Sequence, residues 1–422
     1  MSLHPATAPL YKHLSIFTGL MGFGIIYVLW ASTYFFSWYG LYDNPQDLKE
    51  MRGDVIFLTI AGAFMMAPVG FFVMGFVSTF SLTHNTPEGE KMKFVDALKF
   101  VVKRIIKLAP FNLFVVGFGT CIGPIIGAGP FWDMYSKTMK PCETLWWTNL
   151  FFVNNFYPSG SFEEKCMGWT WFVPCYVQLT LILPILIALF ENLPRTVSTV
   201  IFAVLGAGSI VLNFVLINGG DFGIFLTFDN DGTHFNTQFL NEMFMKPFFH
   251  FAPYLWGVCL CLAYVRYARE KSGLIPADVA NNSLSSRLFA FFKANNVARY
   301  VLYAVAFTIT SLTYCSLHAY LMDNTAWSKT TQAAYGSMAY PGFVLGVSVF
   351  VMSGVLGRAE FIRFFFGGDA WILFKNIGFG LYLFSPVYAL IYFQSMSISQ
   401  HLDYQMMFYN FCGIFVFSLL LV

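Results

Sequence analysis

Charge is what this sequence has least of. Asp, Glu, Lys and Arg make up 11% of its 422 residues, where a soluble globular chain carries roughly 25%. The net charge is +2, so no basic surface for nucleic acid is available, and no nucleic-acid partner is expected. Zinc-ligand spacings, a phosphate loop and a dinucleotide fingerprint are missing as well, and no metal site is expected. There is no low-complexity tract and no internal repeat. Those absences exclude the common soluble nucleotide-, metal- and nucleic-acid-dependent classes.

What is present is apolar: 57% of residues are hydrophobic and 20% aromatic, including 51 Phe, 22 Tyr and 10 Trp. A bilayer core takes about 20 apolar residues per helical crossing. Runs of that kind lie at about 14–38, 55–82, 108–127, 170–190, 197–218, 247–266, 300–322, 339–357, 377–396 and 404–422. The expectation is an all-α polytopic membrane protein of about ten transmembrane helices, forming a single domain over 1–422. Gly and Pro interrupt several runs, which neighbouring helices in a bundle tolerate.

Basic residues collect on the side that is not translocated. With the N-terminus inside, the inside segments hold 17 basic and 8 acidic residues and the outside segments 7 and 14. The densest basic stretch contains Lys91, Lys93, Lys99, Lys103, Arg104 and Lys107. Both termini are therefore expected inside. The start MSLHPATAPLYKHL has few positive charges and leads into a long unbroken span, which reads as an uncleaved first helix rather than a secretory leader. The inside linker 267–299 contains SSRLFAFFKANNVARY, expected to be an interfacial helix.

Six of the eight cysteines fall in or near spans, where a thiol serves as a small apolar packing group. Cys142 and Cys166 instead share the outside loop 128–168. They are either joined, which would place that loop in an oxidising space, or both reduced. The acidic stretch FDNDGTHFN, Phe228 to Asn236, lacks the terminal Glu of a calcium loop and reads as a solvated turn.

The stretch between the third and fourth runs carries Gly129-Pro130 with Trp132, Cys142, Trp146-Trp147-Thr148-Asn149, Asn154-Asn155-Phe156, Cys166-Met167-Gly168-Trp169-Thr170-Trp171, Gln178 and Pro184. In this pattern the chain resembles the acyltransferase 3 family, in its branch named after nose resistance to fluoxetine. KRIIKLAP (Lys103 to Pro110) is similar to that family's paired-basic motif, with Arg104 and Lys107 in the basic places. KPFFHFAPYLWG (Lys246 to Gly257) is similar to its block before the sixth span.

The resemblance implies a membrane enzyme that moves an acyl group from a donor such as acyl-CoA to a hydroxyl. Such chemistry needs a base for the hydroxyl proton and cations for the donor phosphates or the oxyanion. The family's polar positions fall on different residues here. Gly-His-Thr of the first span is Ala31-Ser32-Thr33. The second-span Asp and Ser-Gly fall on Pro68 and Met74-Gly75. The Asn-Asp pair after the tryptophans is Cys175-Tyr176. An Arg falls on His250, and Tyr-Leu-Val-His-Pro reads Tyr382-Leu383-Phe384-Ser385-Pro386. The sequence closes on Leu419-Leu420-Leu421-Val422 without the Glu-x-Pro common in that family.

The favoured expectation is therefore a pseudoenzyme: a catalytically inactive accessory subunit among other integral membrane subunits, with bound phospholipids and no cofactor. Its expected place is the mitochondrial inner membrane, as part of an energy-transducing complex, with the endoplasmic reticulum membrane as the alternative. The rival is an active acyltransferase using acyl-CoA. Arg104 and Lys107 would then bind donor or lipid phosphate; otherwise they are snorkelling anchors. His250 and His318 are either bases or interhelical hydrogen-bond partners, and His13 and His84 sit at the interfaces. A nucleophilic Cys175 is disfavoured, because no cation or His adjoins it in the sequence to lower its thiol pKa.

Overall fold

A computed structural model describes residues 11–84, 91–220, 223–224, 227–228, 235–275, 284–323 and 325–422. Among them, ten helices are long and apolar enough to cross a membrane. They are Lys12–Ser37, Phe57–Thr83, Phe94–Ile126, Gly168–Asn192, Arg195–Gly219, Phe251–Lys271, Asn296–Met322, Lys329–Val355, Trp371–Gln394 and Tyr404–Leu421, called here the first to tenth spans. Among the described residues the fold is all-α but for a two-residue antiparallel ladder pairing Thr227–Phe228 with Phe235–Asn236 and an isolated bridge between Tyr42 and Gln400. That ladder brackets the acidic stretch, whose residues 229–234 lie outside the described residues.

Ten crossings would return the chain to the face on which it began, and polar contacts among span ends and linkers agree. On the starting face, Lys91 Nζ donates to Asn192 Oδ1 at 2.6 Å, and Arg269 donates to the Thr83 carbonyl at 2.7 Å. On the far face, Asn44 Nδ2 donates to the Leu402 carbonyl at 2.8 Å.

Several boundaries differ from the sequence expectation. The third span starts at Phe94 rather than near 108, because its first turns are an amphipathic helix whose lysines depress the local hydropathy. The eighth starts at Lys329 rather than near 339, with Ser328 capping it through the Thr331 N–H. The linker 267–299 is shorter than expected: the sixth span runs on to Lys271 and the seventh begins at Asn296, capped by Asn295. Between them lies the helix Leu284–Ala294, where the interfacial helix was expected. The loop 128–168 contains two helices, Trp132–Met139 and Pro141–Leu150.

The second, fourth, sixth, eighth and ninth spans are mostly buried, and the third, fifth, seventh and tenth are little buried. Glycine makes the closest contact in this inner group. A Cβ on Gly75 would strike the Tyr254 carbonyl, and one on Gly257 would strike the Phe72 carbonyl. The second and sixth spans thus pack backbone to backbone, as small residues permit in membranes. Aromatic side chains fill the rest, among them Phe71, Phe72, Phe76, Tyr264 and Phe384.

Candidate functional site

Two π-helical turns shape the far-face half of the bundle. Such turns displace carbonyls from the regular ladder, and here side chains take them up. In the third span the turn Phe118–Ile122 leaves the Gly119 carbonyl to the Tyr135 hydroxyl at 2.8 Å. Ahead of the sixth span, the turn Leu240–Phe244 presents two carbonyls to the centre. That of Phe244 accepts from His250 Nε2 at 2.6 Å, and that of Met245 accepts from the Cys175 thiol at 2.9 Å.

Asn155 ties this turn to the fourth span. Its amide nitrogen reaches the Met245 carbonyl at 3.2 Å, Gln178 Oε1 at 3.0 Å and Cys175 Sγ at 3.4 Å. Gln178 returns its own amide to Asn155 Oδ1 at 2.9 Å and to the Phe152 carbonyl at 2.8 Å. Phe152 and Met167 have positive φ, 57° and 49°, a strained choice for side chains of that size. Both carbonyls are held by the network, since Met167 accepts from the Thr170 backbone N–H at 2.9 Å. Thr170 in turn donates to Asn149 Oδ1 at 3.0 Å and receives from Asn154 Nδ2 at 2.8 Å.

Cys142 and Cys166 are disulfide-bonded, with Cα atoms 4.4 Å apart. Asn149 Nδ2 donates to the Cys166 carbonyl at 3.0 Å, and Asn112 of the third span donates to the Asn149 carbonyl at 3.1 Å. The loop is therefore tied to both spans that flank it.

The sequence-expected residues fall into two groups. Cys175 and His250 are buried on the neighbouring carbonyls of Met245 and Phe244, while the Tyr176 hydroxyl, also buried, turns to Ser78. The His250 ring lies close to parallel with Phe71, centroid 4.4 Å away, and Trp171, at 5.4 Å, and meets Phe244 and Phe249 edge to face. The others stand apart from this centre. Ser32 donates to the Leu29 carbonyl of its own helix at 2.9 Å. Pro68 is buried in the second span and Met74 is half-buried there. Ser385 is buried, with no partner for its hydroxyl among the described residues. Arg104 is half-buried, its guanidinium 5.1 Å from the Phe100 ring centroid, and Lys107 is exposed. Of the remaining histidines, His84 Nδ1 meets the Phe80 carbonyl at 2.7 Å, and His318 Nδ1 is buried without a partner.

A second polar group lies nearer Arg104. The Tyr176 and Ser78 hydroxyls are 3.5 Å apart, and Thr180 Oγ1 donates to the Tyr176 carbonyl at 2.8 Å. The Tyr254 hydroxyl points among them without a hydrogen bond of ordinary geometry, within electrostatic reach of Arg104. Among the described residues no carboxylate stands at ion-pair distance from Arg104, and no three His, Cys, Asp or Glu side chains gather as a metal site would require.

Two lysines escaped sequence reasoning. Lys165 and Lys246 are 2% and 7% exposed. Lys165 donates to the Pro158 carbonyl, and Lys246 to the Asn155 carbonyl at 2.6 Å, with its ammonium 5.0 Å from the Phe156 ring centroid. Both grip the turn 155–158 from below. Burial, then repulsion from Lys246, lowers the Lys165 ammonium to about 8, against the attraction of Glu242 and Glu164. Burial lowers Lys246 as well, with Glu242 opposing. Lys246 opens the stretch KPFFHFAPYLWG, but nothing in its neighbours marks it as buried.

Residues 22–422 match the acyltransferase 3 family, described as an acyltransferase domain. The chain belongs to that family. It is also 26% identical over 199 residues to nose resistant to fluoxetine protein 6 of Caenorhabditis elegans. That stretch is 44% of this chain and 24% of the worm protein, so the match spans about a quarter of that relative's length. No solved structure matches the chain. Within the acyltransferase 3 family, then, the Asn149–Thr170–Asn154 and Asn155–Gln178 networks are built from residues that the resemblance had already singled out. Cys175 and Tyr176 occupy the neighbouring helix positions.

Proposed function

We propose that this acyltransferase 3 protein is a non-catalytic membrane scaffold, working as an accessory subunit beside other integral membrane subunits. The observation that carries this reading is how the candidate polar groups are spent. Cys175 and His250 are committed to the carbonyls of Met245 and Phe244, and Ser32 to that of Leu29. His250 is walled in by rings. Acyl transfer to a hydroxyl needs a base within reach of the acceptor proton; His250 Nδ1 has no hydrogen-bond partner among the described residues, but its side chain is fully buried, out of reach of an acceptor hydroxyl. The exposed apolar side chains of the fifth and seventh spans, such as Val204, Val211, Val305 and Phe307, supply a face for partner helices, where van der Waals packing drives association.

The disulfide calls for an oxidising space beyond the far face. The mitochondrial intermembrane space meets that need for an inner-membrane subunit, which is the placement proposed. The lumen of the endoplasmic reticulum meets it for the alternative. Solubilisation in mild detergent followed by a native gel tests the assembly: stoichiometric co-migration with other membrane subunits is expected. Turnover of acyl-CoA by the chain purified alone would sink the scaffold reading.

One observation favours a second reading, an active acyltransferase acting on a lipid or small hydroxyl acceptor. It is the cluster of Ser78, Tyr176, Thr180 and Tyr254 hydroxyls beside Arg104. On that reading, acyl-CoA turnover is present and Arg104→Ala abolishes it.

A further inference from the structure

Three segments on the starting face are set apart from the packed centre. They are the first turns of the third span, 94–107, the helix Leu284–Ala294, and the helix Glu360–Phe366. The first opens the third span, and the others follow the sixth and eighth, so the parity of crossings puts all three on one face.

Each lies against the protein on one side and leaves apolar side chains uncovered on the other. In the third span Ala97, Val101 and Leu108 are buried, while Phe94, Leu98, Val102 and Ile106 form an exposed stripe at four-residue spacing. That spacing keeps them on one side of a helix. On Leu284–Ala294 the exposed set is Leu284, Leu288 and Phe291. On Glu360–Phe366, Ile362 backs onto Gly354, while Phe361 and Phe364 are 73% and 84% exposed. A helix in this pattern lies in the membrane interface, apolar side sunk to the acyl boundary.

Length agrees with that placement. The third span has 33 residues, about 50 Å at 1.5 Å per residue, against a hydrocarbon core of about 30 Å. Its first turns therefore run through the headgroup layer.

Lys99, Lys103 and Lys107 repeat every four residues beside the apolar stripe, and all three are exposed. Among the described residues none of them makes a hydrogen bond or an ion pair. Asp96 is the lone acid between Lys91 and Lys107. Arg287 is exposed on Leu284–Ala294, which has no acidic residue.

We infer that this face binds anionic phospholipid, with Lys99, Lys103 and Arg287 holding headgroup phosphates while the neighbouring apolar stripes lie among the acyl chains. Lys107 belongs to the same row but also to the paired-basic motif, so it is left untouched in the test. The inference stands whether or not the chain is catalytic.

The full chain is reconstituted in phosphatidylcholine bilayers with a trace of spin-labelled phosphatidylserine or spin-labelled phosphatidylcholine, and the motionally restricted fraction of each is measured. Phosphatidylserine is expected to associate about threefold or more better, given the attraction of each basic residue for an anionic surface. The preference should fall close to unity in Lys99→Gln/Lys103→Gln/Arg287→Gln. Salt near 1 M should erase it in the unaltered chain, where exposed charges are screened within about 3 Å; this arm requires no variant to fold. Equal association of both lipids with the unaltered chain, or a preference that survives both the substitutions and the salt, would overturn the inference.

Discussion

Lys165 is buried against a carbonyl rather than a carboxylate, and its titration is open to measurement. Its ammonium is lowered from 10.5 to about 8. Between those values the unfolded chain still holds a proton that the folded chain has released, so stability rises with pH across the window. Thermal unfolding in detergent should therefore show a midpoint that climbs from pH 8 towards 10, with a smaller climb in Lys165→Met. Asn155 is a second test at this scale. Asn155→Ala leaves Gln178 without its amide partner and should cost about 1–3 kcal/mol, read from the same unfolding curves. Neither lysine's burial was legible in the sequence. Each is fixed by a carbonyl of the turn 155–158, seven residues from Lys165 and 91 from Lys246, and local composition holds no trace of such a pairing. Asn155 and Gln178 were visible because they stood in a resemblance, which flagged the positions without revealing that they pair.

Among the elements, the long apolar runs were legible because hydropathy alone marks them. Their ends were not where polar residues belong to the helix. The third span's lysines and the eighth span's opening Lys329-Thr330-Thr331-Gln332 both read as linker. The π-turns carry no periodic pattern, yet they aim the Phe244 and Met245 carbonyls at the centre. The glycine contact between the second and sixth spans makes a firm prediction. Gly257→Leu would drive a side chain into the Phe72 carbonyl. Because backbone cannot yield as a side chain can, the loss should exceed the 1–3 kcal/mol typical of overpacking. Loss of the monodisperse peak in size exclusion is the expected readout, with Gly413→Leu, where a Cβ meets open space, as the silent control.

For the whole molecule, family and helix count followed from sequence, because both rest on features spread along the chain. Sidedness rests on the charge balance and on the disulfide's need for an oxidising space, and can be checked directly. If the termini lie inside, an impermeant thiol reagent on sealed, outside-out vesicles should modify Lys137→Cys in the loop 128–168 and spare Lys93→Cys until the vesicles are opened. The reverse pattern would invert the topology. Cys166→Ser should lower stability by about 3 kcal/mol, the chain-entropy estimate for a loop of this length, with a sequence separation of 24.

That crosslink also decides how the molecule can be entered. The loop 128–168 on the far face is closed on itself by Cys142–Cys166, Asn149 and Lys165, and is fastened to the bundle by Asn112, Lys246 and Gln178. A cover fastened at so many points is no hinged door. Any guest reaching Arg104 must arrive from the starting face or slip sideways between helices out of the lipid.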